Sequence, residues 1–357
     1  MNTLTRITSL GLITLLALSS CETRGDDPIP VVPPSEGSKL TLQGGAGESD
    51  AANAVYVDFS ADKQTSVDRK SWSLGFYNQD AYRVILNNQA AYAAKATDKT
   101  DILAVNSTNT DINVLAYGFG PEKLANYDGT DGDMSKTVIA EISAAGPSNL
   151  VYIVNTVHGG KIDKENVYKV RINRGNSNDY ILEYAKIDEK QIQKATIKKD
   201  AKTTFTFFSF TGGTVQVEPA KDSWDIVWTK SMFHTGALAY AFSDLVFINH
   251  LNGVSAAEVI FQDKSGKTTG QPSYEEFDAS KLSNIELLKG RNTIGSSWRR
   301  TTAMKDDPRV GVMPDRYYVI RDQVGNIYKL RFLAMGVNND GGKRGYPEIE
   351  YKLVKGK

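Results

Sequence analysis

One pattern is written twice in this chain, at residues 55–188 and again at 205–354, so what the first copy folds into the second must also fold into. The first copy opens with Val55-Tyr56-Val57-Asp58-Phe59, then Trp72-Ser73-Leu74-Gly75-Phe76. The second opens with Phe205-Thr206-Phe207-Phe208-Ser209, then Trp224-Asp225-Ile226-Val227-Trp228. The closing segments agree better. Val167-Tyr168-Lys169-Val170-Arg171-Ile172 answers Ile327-Tyr328-Lys329-Leu330-Arg331-Phe332, and Glu183-Tyr184 answers Glu350-Tyr351. The order is kept while the spacing widens, as insertions in loops produce. The expectation is two tandem domains, at residues 49–190 and 195–357.

Local pattern specifies an all-β fold with minor α content. Residues 317–322 and 327–332 flank Gln323-Val324-Gly325-Asn326, which reads as a hairpin closed by a tight glycine turn. Tyr328, Leu330 and Phe332 alternate with Lys329 and Arg331, the period of a half-buried strand. Residues 346–354 form a further strand, broken near Pro347. In the first copy, 151–154 and 167–172 make the matching hairpin with a longer loop. A composition of 17 Tyr, 13 Phe and 30 Gly suits such a strand-rich, turn-rich chain. Helix signals are confined to residues 122–126 and 274–282, enough for one short helix each.

Residues 1–20 read as a lipoprotein signal peptide. A short basic n-region precedes an apolar run from Leu10 to Leu18 that is too short to span a bilayer as a helix. It ends in Leu18-Ser19-Ser20-Cys21, the pattern in which the cysteine becomes an acylated N-terminus. Cys21 is the only cysteine, so the chain can form no internal disulfide, and a thiol used only for the anchor explains the count. Acyl chains such as palmitate there contribute roughly 0.8 kcal/mol per buried CH₂, which favours lipid anchoring to the outer membrane, with cell-surface exposure an open alternative. Residues 21–48, with Pro28, Pro30, Pro33, Pro34 and Gly44-Gly45-Ala46-Gly47, read as a flexible tether.

The charges balance, 42 basic against 42 acidic residues, so composition gives no reason to expect a nucleic-acid partner. No Walker A loop, G-x-S-x-G elbow or H-E-x-x-H motif is present, and the chain reads as a binding protein rather than an enzyme. The three histidines are dispersed. His158 and His250 sit in apparent turns, while His234, in Ser231-Met232-Phe233-His234-Thr235, has the soft and aromatic neighbours of a haem or metal pocket. Asp128-Gly129-Thr130-Asp131-Gly132-Asp133 lacks the glutamate and spacing of a calcium loop and reads as a solvated acidic turn. Trp298, Arg299 and Arg300 read either as a strand bearing surface arginines or as the lining of a pocket for a planar anionic ligand.

The ordered set of segments resembles the HmuY-type haemophore family. The segments that carry the resemblance are Trp224-Asp225-Ile226-Val227-Trp228-Thr229, Phe242-Ser243-Asp244-Leu245-Val246-Phe247-Ile248-Asn249, Gly253-Val254, Asp315-Arg316-Tyr317-Tyr318-Val319-Ile320-Arg321-Asp322 and Gly325-Asn326 onward. It covers 203–354 and, more loosely, 53–188. The resemblance implies an outer-membrane lipoprotein with a mostly β fold that binds haem between two loops and passes it to a TonB-dependent receptor. It also implies a pair of axial histidines or methionines. The second falls between Trp298 and Arg316, where Met304 matches the metal-ligand position and Met313 is the runner-up. The first belongs near residues 270–276, which hold no histidine or methionine; Tyr274 as a phenolate, or His234, would take its place. In the first copy, Met134 stands unpaired. The alternative is an accessory surface lipoprotein for another small-molecule ligand, with iron ligation lost.

Overall fold

Alternating apolar and polar residues set the strands, and the register of their pairing decides how the two copies combine. The structure is a computed structural model describing residues 33–357, without the His234 side chain. Cys21, the signal-peptide segment and the first part of the tether lie outside the described residues. After β1 (Gly37–Thr41), the first copy supplies β2 (Asn53–Asp58), β3 (Lys63–Asp68), β4 (Leu74–Tyr77), β5 (Val84–Leu86) and β6 (Ala93–Ala96). It continues with β7 (Val151–Asn155), β8 (Val167–Arg174), β9 (Asp179–Lys186) and β10 (Gln193–Lys198). The second copy supplies β11 (Phe205–Ser209), β12 (Gly213–Val215), β13 (Ile226–Thr235), β14 (Leu238–Ile248) and β15 (Ser255–Ile260). It ends with the short pair β16 (Arg299–Arg300) and β17 (Gly311–Val312), then β18 (Arg316–Arg321), β19 (Ile327–Ala334) and β20 (Glu348–Lys355). The sheets are antiparallel throughout, and the fold is all-β.

Each copy builds a five-stranded sheet of its own, in the orders β10-β9-β8-β7-β6 and β1-β20-β19-β18-β15. The four-stranded sheets are not built that way. Their orders are β12-β11-β4-β5 and β14-β13-β2-β3, so each joins the first hairpin of one copy to the second hairpin of the other. At one seam Val57 lies opposite Ile226 and Tyr56 opposite Val227; at the other Phe208 lies opposite Leu74 and Phe207 opposite Gly75. The two copies have exchanged their opening hairpins.

The cores follow the exchange. Val55, Val57 and Phe59 of the first copy pack with Ile226, Trp228, Tyr318, Leu330 and Tyr351 of the second. Phe208 and Phe210 of the second pack with Leu74, Phe76, Val154, Val170 and Leu182 of the first. Each core is the dry interior between a five-stranded and a four-stranded sheet. The expectation of separate domains at 49–190 and 195–357 is therefore corrected: residues 34–357 form one compact unit. A sequence repeat identifies equivalent strands but not which copy supplies each partner, because equivalent hairpins fit either seam.

Two further expectations change. Residues 37–41, read as tether, form β1 on the edge of β20, as β10 does on β9. Leu42 just after it is fully buried, which anchors a segment whose glycines and prolines suggested none. A helix does form at Pro121–Leu124, but in the 274–282 region only the 3₁₀ segment Ala279–Asn284 is helical. The carbonyls of Tyr274 and Phe277 accept from the Lys329 ammonium, and both rings are buried in the core beside Tyr317, which holds the chain out of a helix.

Candidate functional site

At one end of the second-copy five-stranded sheet, two long loops approach each other beside β18 and β19. One leads from β15 to residue 284 and the other from β16 to β18. Between them lies a cleft of about 310 Å³, at the lower limit of the roughly 300–1,000 Å³ typical of ligand sites. Its lining includes Tyr274 and Glu275 from the first loop, Met313 and Pro314 from the second, and Arg316 and Arg331 from the sheet.

Each side chain is positioned by its element. Lys329 points to the outer face of the sheet by strand alternation, and its ammonium donates to the Tyr274 carbonyl at 2.6 Å and the Phe277 carbonyl at 2.8 Å. That pins the first loop. The Tyr274 ring stands edge-on to Tyr317 at 5.8 Å, with the Arg331 guanidinium 4.2 Å from its centroid. Burial pushes the Tyr274 phenol well above its usual pKa, with Glu350 adding to the shift. Met313 is 3% exposed, and its amide donates to the Trp298 carbonyl at 2.9 Å.

Two guanidiniums frame the cleft. Arg331 Nε donates to Glu350 Oε2 at 2.6 Å and its Nη1 to Glu275 Oε1 at 2.6 Å. Burial works against the Arg331 charge, but the two carboxylates outweigh it and raise its pKa. Arg316 reaches Glu258 at 2.9 Å and Asp315 at 2.8 Å, with the same outcome. Both cations are held charged and oriented.

The other sequence-derived candidates fall elsewhere. Met304 is 61% exposed at a tight turn where its backbone pairs with Asp307, and it does not line the cleft. Trp298 is fully buried and stacks on Phe332 at 4.1 Å, and its indole Nε1 donates to the Asp244 carbonyl at 3.0 Å. Arg299 donates to the Ser243 carbonyl and lies 4.7 Å from the Phe242 ring. These two residues clamp an irregularity in β14, where Asp244 adopts φ 56° and Arg344 grips its carboxylate. A bulged strand leaves backbone groups without ladder partners, and the indole and guanidinium supply them. Arg300 pairs with Asp307 at 2.7 Å, so the pocket lined by Trp298, Arg299 and Arg300 does not form. His234 holds the register position opposite Ala239, and its side chain lies outside the described residues.

The acidic turn is also reassigned. Asp128 is buried, its oxygens accepting the Leu86 amide at 2.6 Å and the Val138 amide at 2.8 Å, while Asp131 pairs with Lys136. Among the described residues no His, Cys, Asp and Glu cluster is arranged to hold a metal ion.

What sequence reasoning undervalued was Met313, together with Arg316 and Arg331. The available signal was strand parity for Arg331, which shares its face with Lys329, the face the first loop covers. A family model described as HmuY protein matches residues 50–351. The chain belongs to the HmuY family. The match runs through both copies and the join between them. No curated protein and no solved structure matches the chain. Within the HmuY framework, the two intervals expected to carry ligands, residues 270–276 and 298–316, are those whose loops meet at the cleft.

Proposed function

We propose that the chain is a haem-binding lipoprotein of the outer membrane, taking haem or a related iron-bearing ligand in the second-copy cleft and delivering it to a TonB-dependent receptor. The observation that carries the reading is the convergence of Tyr274 and Met313 in one cleft from the two ligand intervals. Thioether and phenolate are both established haem-iron ligands. Haem supplies the iron to which such groups bind; this chain supplies Met313 and Tyr274 as donors and Arg316 and Arg331 to face anionic carboxylates. The lipobox ending at Cys21 supports the membrane anchor.

The test is a titration of residues 34–357 with haem in both oxidation states, following the Soret band. A shifted band that is lost in Met313→Ala and kept in Met304→Ala is expected. No shift in either state rejects the reading. A shift lost only in Met304→Ala returns the ligand to the exposed turn.

One observation favours a second reading, an accessory lipoprotein without iron. Arg316 and Arg331 are already matched by Glu258, Asp315, Glu350 and Glu275. Recovery of a receptor complex with no chromophore would support that alternative.

A further inference from the structure

Where the two four-stranded sheets meet, the exchanged hairpins line a second cavity, half-open to solvent, of about 130 Å³. It is separate from the proposed haem cleft and lined by both copies. The matched tryptophans Trp72 and Trp224 both face it, each edge-on to an aromatic of an opening hairpin: Trp72 to Phe207 at 4.8 Å, Trp224 to Tyr56 at 5.1 Å. Phe205, Val227 and Phe247 complete an apolar wall.

This wall carries polar atoms with no partner. The indole Nε1 of Trp72 and of Trp224, Asn88 Oδ1, Gln89 Oε1 and Ser231 Oγ are all buried and unpaired. Trp72 is 3% exposed, Asn88 and Trp224 are 8%, and Ser231 is 1%. A buried polar group without a hydrogen bond is costly, so several around one cavity mark a site built for something that bonds to them. Arg291 adds a cation. Its guanidinium lies 3.9 Å from the Phe247 centroid, and Asp128 and Asp131 act on it through space without a hydrogen bond. The three carboxyls on the lining are already engaged, Glu218 by the Phe205 amide at 2.8 Å, Asp128 by the amides of Leu86 and Val138, and Asp133 by the Ser135 amide and hydroxyl and by Lys136.

The first-copy segment from Asp128 to Thr137 forms one side of the cavity. The Gly132 carbonyl lies 3.2 Å from His250 Nε2, and Asn292 Nδ2 donates to the Thr130 carbonyl at 3.1 Å. Gly132 has φ 78°, and a Cβ there would fall 2.6 Å from His250 Nε2, so the close approach requires glycine.

We propose that this cavity binds a small hydroxylated aromatic acid. A cavity of about 150 Å³ accepts benzene in another protein, so this space of about 130 Å³ takes one six-membered ring with its substituents reaching the open side. The two indole donors and the guanidinium select a carboxylate. The oxygens of Asn88, Gln89 and Ser231 select a hydroxyl donor.

The probe is 4-hydroxybenzoate, titrated into residues 34–357 while intrinsic fluorescence is followed, since two of the four tryptophans line the cavity. Saturable quenching is expected, with benzyl alcohol binding at least about tenfold more weakly. Arg291→Gln should weaken 4-hydroxybenzoate about tenfold and leave benzyl alcohol unchanged, and Ser231→Leu should abolish binding of both. Thermal melts confirm that each variant is folded. If Arg291→Gln does not fold, crystals soaked with 4-hydroxybenzoate decide: ring density against the indoles supports the proposal, and separate waters alone overturn it. Absence of saturable binding, preference for glucose, or equal affinity of the acid in a folded Arg291→Gln also overturns it.

Discussion

The two copies agree at their seams and differ on their faces. Ser73 and Asp225 follow the matched tryptophans, and each donates its amide to the other copy's opening hairpin, Ser73 to the Phe208 carbonyl and Asp225 to the Val57 carbonyl, both at 2.7 Å. Each side chain then accepts an amide two residues further on: Ser73 Oγ from Phe210 at 3.1 Å, Asp225 Oδ2 from Phe59 at 2.8 Å. Asn87 and Asn249 likewise donate to the Trp72 and Trp224 carbonyls. On the outer faces, Lys169 and Lys329 occupy equivalent positions, and each pins a long loop by its carbonyls. In the first copy that loop fills its own space with Ile102, Val105, Leu115 and Tyr127; in the second it leaves the cleft. The repeated contacts hold the exchange, and the unrepeated loops hold the cleft.

The largest test of this contrast is to cut the chain between β10 and β11. Residues 34–200 and 201–357 each lack a hairpin that the other supplies, so neither should unfold cooperatively alone, and mixing them should restore a single calorimetric transition. Next are the loop-pinning lysines. Lys329→Met strands two carbonyl acceptors and Lys169→Met one, at roughly 1–3 kcal/mol per buried group, so urea unfolding should show the larger loss at Lys329.

The seams also differ in charge. Asp225→Ala should cost about 2 kcal/mol and Ser73→Ala about 1, because one amide loses a carboxyl and the other a hydroxyl. Burial pushes the Asp225 carboxyl well above its usual pKa and lifts Glu218, which holds the Phe205 amide, to about 8. A raised carboxyl means the folded state binds the extra proton. The stabilising effect is complete below the unfolded pKa and is lost as pH rises, for Glu218 toward 8, with a slope of at most about 1.4 kcal/mol per pH unit for each group. Glu218→Gln should flatten the fall in stability between about pH 5 and 8, read by melting temperature across that range. The smallest effect belongs to the strand-face ion pairs. Arg331 meets Glu350 at 2.6 Å and Arg171 meets Glu183 at 3.6 Å, so Arg331→Met should cost about 1 kcal/mol and Arg171→Met less than about 0.5.

Much of this was legible in the sequence. Alternation at Tyr328, Leu330 and Phe332 gave β19, and the Tyr-Lys and Glu-Tyr repeats matched β8 to β19 and β9 to β20, down to the Arg171–Glu183 and Arg331–Glu350 registers. The exchange was not legible, because Val57 presents the same apolar face to Leu74 as to Ile226. Trp298 and Arg299 misled for a related reason: an indole and a guanidinium that satisfy a bulged strand look, in one dimension, like the lining of a pocket. Cleft and cavity form between segments far apart in sequence, which local pattern does not join.

The exchange itself is tested most directly by disulfide trapping in residues 34–357, a segment without native cysteine. Val57→Cys with Ile226→Cys places two thiols at paired positions across the seam, within reach of a disulfide. Val57→Cys with Leu74→Cys would bridge only if each copy kept its own hairpin. Exchange predicts that the 57–226 bridge forms under mild oxidation and the 57–74 bridge does not; formation of 57–74 in place of 57–226 would contradict it.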